Sequence, residues 1–185
     1  MTDTHEIHAG LLRRLFWSWC GMPAFRCTFH NWYRARGMVL NIFGARVSRS
    51  AKIRPTVRVN RPWNLVVGDH AAIGDYAILD CVAPVFIGAR STISQYAHLC
   101  TVFTSPDADD DFPAPIRVED DCWVAADVFV GAGVTIRHDT VVGSRSSVFD
   151  SLPERSICVG DRAKRIGERV WRHEQQYEPV AGGAH

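Results

Sequence analysis

One run constrains this chain more than any other. From Val118 onward every sixth residue is aliphatic: Val118, Val124, Val130, Ile136, Val142, Val148. An α-helix repeats at about 3.6 residues and a strand at about 2, so neither holds its phase over a period of six. Such a period marks a solenoid in which each hexad is one face of a coil. The same beat runs upstream as Val47, Ile53, Val59, then Val67, Ile73, Leu79, then Ile87, Ile93, Leu99. Between these triplets two residues are inserted each time, around Pro62-Trp63 and Ala83-Pro84. All fifteen positions are Val, Ile or Leu, although these types supply only 39 of 185 residues, so free choice of frame cannot produce the run. Three hexads close one turn of a triangular coil, with the marked side chains stacked inside. Small residues two positions earlier (Ala71, Ala77, Ser91, Ala97, Cys122, Thr140, Ser146) fit a narrow interior. Gly68, Gly74, Gly88, Gly131 and Gly143 directly follow their aliphatic partners, where a tight corner suits a residue without Cβ. The expected fold is an all-β solenoid of about five coils, each advancing by a strand spacing of roughly 4.8 Å.

Charge and cysteine usage narrow the function. A formal net charge of +1 argues against a nucleic-acid-binding protein, which carries a basic excess. The opening Met1-Thr2-Asp3-Thr4-His5-Glu6 is polar and acidic, unlike a secretory signal, and no apolar run reaches the length of a membrane span. Six cysteines lack CxxC spacing, and several fall on coil positions. They read as free thiols filling small apolar sites in a reducing compartment, so a cytoplasmic location is expected.

The flanks differ from the coils. Residues 1–46 are expected to form a loose tail (1–9) and a helical cap, since Leu11, Leu12, Leu15, Phe16 and Trp19 have helical spacing. Gly21-Met22-Pro23 should interrupt the cap before a second helical stretch through Phe29, Trp32, Tyr33, Arg36 and Ile42. Such a cap covers the first coil and its free strand edges. A sharper reading docks Trp17, Trp19 and neighbouring arginines at a membrane surface, giving weak association with the inner membrane face. Within the solenoid, 47–160, the rhythm breaks between Leu99 and Val118, where thirteen extra residues carry prolines and an aspartate run. These cannot continue a ladder, so an extruded loop is expected at about 101–115. The aspartates lack the glycine and terminal glutamate of a calcium loop. Leu152-Pro153 ends the regular coils, and 161–185 should form a charged helix and a tail.

At this level of detail the chain resembles the left-handed β-helix hexapeptide-repeat acyltransferases, and within them the colanic-acid-biosynthesis type of O-acetyltransferase. The resemblance spans roughly 10–166. It rests on Phe43-Gly44-Ala45, Arg61-Pro62-Trp63-Asn64-Leu65, Ala83-Pro84-Val85-Phe86-Ile87-Gly88 and Ile93-Ser94-Gln95. It continues in Cys122-Trp123-Val124-Ala125-Ala126, Gly133-Val134-Thr135-Ile136 and Val141-Val142-Gly143-Ser144-Arg145-Ser146. Left-handedness enters only through this resemblance, because period alone does not set coil hand.

The resemblance implies a homotrimer that uses acetyl-CoA as donor and a sugar-like hydroxyl as acceptor, with no metal expected. Trp123, Ala125 and Ala126 would lie along the pantetheine arm, and backbone amides near Ala125 would stabilise the oxyanion. Gly143, Ser144 and Arg145 would follow one coil later. The family's closing Gly-Asn-Pro-Ala-Lys stands here as Gly160-Asp161-Arg162-Ala163-Lys164, so Lys164, helped by Arg162 or Arg165, would meet CoA phosphates. Asp80 falls near acceptor-contacting positions.

The catalytic position departs from the pattern. The family histidine at the start of the extruded loop is Thr104 here, and a threonine hydroxyl cannot serve as a general base at neutral pH without activation. His98, just before Leu99, is a relocated base candidate, because an imidazole titrates near working pH. Asp107 or Asp109 of the loop is another. The alternative is a catalytically silent paralogue acting as a binding or partner subunit. A three-histidine zinc site is disfavoured, since His70, His98 and His138 lack the close spacing of such ligands.

Overall fold

In the computed structural model, which describes residues 4–104 and 111–170, the hexads stack as three parallel sheets around a triangular core. The first face comprises β1 (Arg46–Val47), β4 (Leu65–Val67), β7 (Val85–Ile87), β12 (Ile116–Val118) and β15 (Thr135–Ile136). The second comprises β2 (Lys52–Ile53), β5 (Ala72–Ile73), β8 (Thr92–Ile93), β13 (Trp123–Val124), β16 (Val141–Val142) and β18 (Ser156–Val159). The third comprises β3 (Arg58–Val59), β6 (Ile78–Asp80), β9 (His98–Cys100), β14 (Phe129–Val130) and β17 (Ser147–Val148). The chain is a left-handed parallel β-helix of about five coils. The register is the one the period requires: Val47 pairs with Val67, Val67 with Ile87, Ile87 with Val118 and Val118 with Ile136. Both the two-residue joins and the long insertion are therefore absorbed outside the ladders. All fifteen hexad aliphatics are at most 7% exposed.

The corners work differently from the expectation. Gly68, Gly74, Gly88 and Gly131 do not have positive φ. The left-handed residues come later in the corner and carry side chains: His70, Tyr76, Arg90, Tyr96, Asp121, Asp127, Asp139 and Arg145, at φ of 56–61°. Left-handed backbone disfavours a residue with Cβ, but each coil steadies the next. Tyr96 N–H donates to Asp75 O at 3.0 Å, Asp127 to Gln95 O at 3.0 Å and Arg145 to Ala126 O at 3.0 Å. The glycines answer a different need. A Cβ on Gly68 would stand 2.7 Å from Ala89 N, and one on Gly88 would stand 2.5 Å from the Glu119 carbonyl carbon. They are small because the neighbouring coil passes directly overhead.

The N-terminal cap is more continuous than the sequence suggests. Helix α1 begins at Thr4, inside the expected tail, and runs to Phe16. No proline falls within it. At Gly21-Met22-Pro23 the chain stays helical instead of breaking, passing through a π-helical turn (Trp17–Gly21) into α2 (Met22–Arg26). Met22 N–H donates to Trp17 O, the five-residue span of a π-helical turn, and Pro23, which has no N–H, falls at the start of α2. Trp17 points inward, correcting its assignment to a membrane surface. It is buried, donates from Nε1 to Val59 O at 2.7 Å, and meets Phe43 edge-on at 5.0 Å. Helix α3 (Tyr33–Ile42) supplies Arg36, also buried, whose guanidinium fixes the cap to the first coil.

The far end also departs from expectation. Residues 164–168, assigned to a C-terminal helix, form strand β19 (Lys164–Glu168), antiparallel to β18. Gly160 at φ 109° and Arg162 at φ 59° turn the chain back. The returning strand covers an edge that would otherwise be open. Residues 161–163 and 169–170 are not helical either, and the rest of the expected helix lies outside the described residues. The extruded loop is rooted in a hairpin, β10 (Val102–Thr104) against β11 (Asp111–Pro113), with Thr104 opposite Asp111. Asp107 and Asp109 lie outside the described residues.

Candidate active site

Along β6 and β9 the central leucines, Leu79 and Leu99, point into the core, and their neighbours point out. Parallel pairing then sets Ile78 beside His98 and Asp80 beside Cys100, while β14 brings Phe129 alongside His98. Thus the fold joins two sequence candidates, His98 and Asp80, at the root of the hairpin that carries Thr104. His98 is half-buried and its ring meets Phe129 edge-on at 5.4 Å. Burial lowers its pKa from 6.5, and the charge of Asp80 acts in the opposite direction. The net direction favours the neutral imidazole that a base requires. Asp80 accepts a hydrogen bond from Asn60 Nδ2 on the preceding coil, and its Oδ2 lies 3.8 Å from Cys100 Sγ.

The donor-side candidates lie on the second face. Trp123 is 49% exposed, and its Nε1 donates to Ser94 Oγ at 2.9 Å, which fixes the indole. It borders a shallow hollow of about 430 Å³ together with Arg90, Thr92, Asp121 and Arg169. Arg90 is held by Asp121 through Nε at 2.7 Å and a second nitrogen at 2.5 Å. Arg169 donates to the Asp121 carbonyl at 2.6 Å. Ala125 does not have its own amide free for an oxyanion. It is buried and its N–H donates to Val142 O at 3.0 Å, so that amide is committed to the ladder and not to an oxyanion. At the adjoining corner the Ala126 carbonyl accepts from Arg145 N–H, and Gly143 N–H donates to Cys158 O at 2.8 Å. Ser144 and Arg145 are exposed, with Arg145 Nε 3.8 Å from Asp127. Arg162 and Lys164 are exposed at the turn into β19.

His70 and His138 occupy outer corners, apart from His98 on the third face, so the three histidines do not gather. Asp139, 2.9 Å from His138 Nδ1, raises the His138 pKa from 6.5 by hydrogen bonding. A hollow of about 590 Å³ lies over the first face at Phe86, Gly88, Arg117 and Glu119, and neither His98 nor Trp123 lines it. Cys100, Asn60 and Arg169 were not singled out from the sequence. Register signals the first two, which stand twenty residues either side of Asp80 in the ladder. Arg169 had no signal, because its place depends on β19.

Comparison with known proteins follows the same lines. No protein-family model matches the chain. A chain of Escherichia coli K12 named for colanic acid biosynthesis acetylation, WcaF, is 43% identical over 155 residues, covering 80% of this chain and 85% of that one. An acetyltransferase-named chain of Schizosaccharomyces pombe is 25% identical over 138 residues, covering 72% and 67%. Among solved structures, a galactoside acetyltransferase in complex with coenzyme A matches with a TM-score of 0.81 at 20% identity, over 92% of both chains. A hexapeptide-repeat acetyltransferase of Vibrio cholerae complexed with acetyl coenzyme A matches with a TM-score of 0.79 at 23% identity, again over 92% of both. At those identities the structural likeness is one of fold.

Proposed function

The chain belongs to the colanic-acid-biosynthesis type of hexapeptide-repeat acetyltransferases, and on that premise we propose that it moves an acetyl group from acetyl-CoA to a hydroxyl of a sugar or polysaccharide precursor. The observation that carries the catalytic assignment is His98, a half-buried imidazole braced by Phe129 and standing beside Asp80. In the proposed mechanism the acceptor hydroxyl attacks the thioester carbonyl while His98 takes its proton. The tetrahedral intermediate then collapses, the C–S bond breaks, and the imidazolium returns a proton to the CoA thiolate. Asp80, fixed by Asn60, accepts a hydrogen bond from the sugar and favours the imidazolium as it forms.

Trp123 and the hollow beside it hold the pantetheine arm, while Arg162 and Lys164 pair with CoA phosphates. Gly143, Ser144 and Arg145 border the same path. Donor and base stand on different faces of one protomer, the second and the third, so a homotrimer that sets the second face of one copy against the third face of its neighbour completes the site. A cytoplasmic enzyme lying against the inner membrane face is consistent with the six free cysteines and with the exposed Leu12, Phe16 and Trp19 of the cap. Among the described residues no helix is long and apolar enough to cross a membrane.

The test is acetyl-CoA turnover by free-thiol release with a panel of sugar acceptors. His98→Ala is expected to lower kcat by about 10²–10⁴ while leaving CoA affinity unchanged. Thr104→His, placed in the hairpin, is expected to restore part of the loss. Unchanged turnover in His98→Ala removes His98 as the base. Absence of CoA binding in every variant overturns the acyltransferase reading.

A further inference from the structure

The side chains around the base make a second chemistry available. Asp80, His98 and Cys100 each present one ligand atom, and these atoms all lie within 4.8 Å of one another on the third face. A carboxylate oxygen, an imidazole nitrogen and a thiol sulfur together form a donor set suited to zinc. In a tetrahedral zinc site, bonds of about 2.0–2.3 Å place the ligand atoms roughly 3.3–3.6 Å apart. The Asp80 Oδ2 to Cys100 Sγ separation, 3.8 Å, is already close to that span. The remaining gap closes by small side-chain rotations, because the three residues stand on paired strands whose backbones are fixed by the ladder. Two of the ligands also have support: Asn60 Nδ2 donates to Asp80, and Phe129 braces the His98 ring. Outer partners of this kind orient metal ligands and tune their affinity. The Cys100 S–H donates to Val102 O at 3.5 Å, a contact given up when the thiol proton leaves.

We propose that Asp80, His98 and Cys100 form a three-ligand site for one zinc-class divalent cation at the root of the extruded hairpin. Binding exchanges the Cys100 thiol proton for the metal, so that a carboxylate and a thiolate balance the two positive charges and one proton is released to solvent. A fourth position faces outward, away from the core leucines, and is left for water. The bound ion occupies a His98 nitrogen and so switches off proton abstraction. That inhibition rests on the function proposed above, whereas the binding does not.

The full-length protein, freed of metal by a chelator, is titrated with Co²⁺ and then Zn²⁺. The expected result is one Co²⁺ per chain with a thiolate-to-cobalt absorption band, displaced by Zn²⁺ and lost in Cys100→Ser. Asn60→Ala should weaken binding about 10-fold or more by releasing Asp80. No thiolate band, or a band that survives in Cys100→Ser, overturns the proposal, the latter by moving the ligand to another cysteine such as the exposed Cys20 or Cys27. Circular dichroism of Cys100→Ser separates loss of a ligand from loss of the fold. In the same preparation Zn²⁺ should suppress acetyl transfer, and chelation should restore it. A bound ion with undiminished transfer removes His98 from catalysis and leaves the metal site standing.

Discussion

Arg36 is sealed from solvent, and its guanidinium is held by oxygens: Ile53 O at 2.6 Å, Thr28 Oγ1 and Phe29 O at 2.8 Å, and His30 O at 2.7 Å. Desolvation is the main influence on its pKa and lowers it below the usual guanidinium value. The planar fork reaches four acceptors that a lysine cannot span together. Arg36→Met is expected to cost about 3 kcal/mol or more, because it leaves buried carbonyls without donors. Denaturant unfolding would check this, and Arg36→Lys should recover only part of the loss. Arg36 was visible in the sequence as one residue of a helical stretch. Its anchoring role was not, because its partners come from the α2–α3 connection and from the first coil. Trp17 shows the same limit. The membrane reading set it beside Trp19, but residues two apart on a helix face opposite ways, and Trp17 is the one turned into the core.

At the scale of the coil, the hexad period carried nearly everything about the fold. It set phase, face and register, because interior width admits only one stack of aliphatics. The corners were legible in position but not in cause, since period says nothing about how closely one coil passes over the next. Gly88→Ala tests the difference. Its Cβ would meet the Glu119 carbonyl carbon and Asp120 N, which are backbone atoms that cannot swing aside. A loss of about 1–3 kcal/mol is expected, read as a lower midpoint in thermal unfolding. A requirement for left-handed backbone predicts instead that His70, at φ 56°, is the position where glycine is favourable. Strand β19 escaped the sequence reading for a related reason. Lys164–Glu168 has no strand alternation of its own and is extended only because β18 offers it an edge.

Over the whole molecule, the helical cap covers one end of the solenoid, while at the other β19 pairs with β18 on the second face and isolated bridges from Leu152 and Asp161 reach the last strands of the other two faces. Growth by end-to-end addition of strands is thereby hindered, and association is left to the faces. Sedimentation equilibrium should therefore give a closed trimer with no higher series, and a monomer would leave the proposed site divided. Trp19, 79% exposed on the cap, should matter only to lipid. Trp19→Ser is expected to reduce co-sedimentation with anionic vesicles while the trimer and acetyl transfer in solution stay unchanged. The candidate site was half legible. His98 and Asp80 could be named, whereas the neighbours that define their chemistry stand a full coil away in sequence.

The stacking of three hexads per turn also governs how such a gene can change length. Six residues gained or lost between β12 and β17 would carry every later segment onto the wrong side of the prism, turning it by a third of a circle. Eighteen, the step from Val118 to Ile136, would return each to its own side and merely lengthen the column. Descendants of this sequence should thus differ by whole storeys, while the hairpin, which is bound to no such count, can vary by single residues.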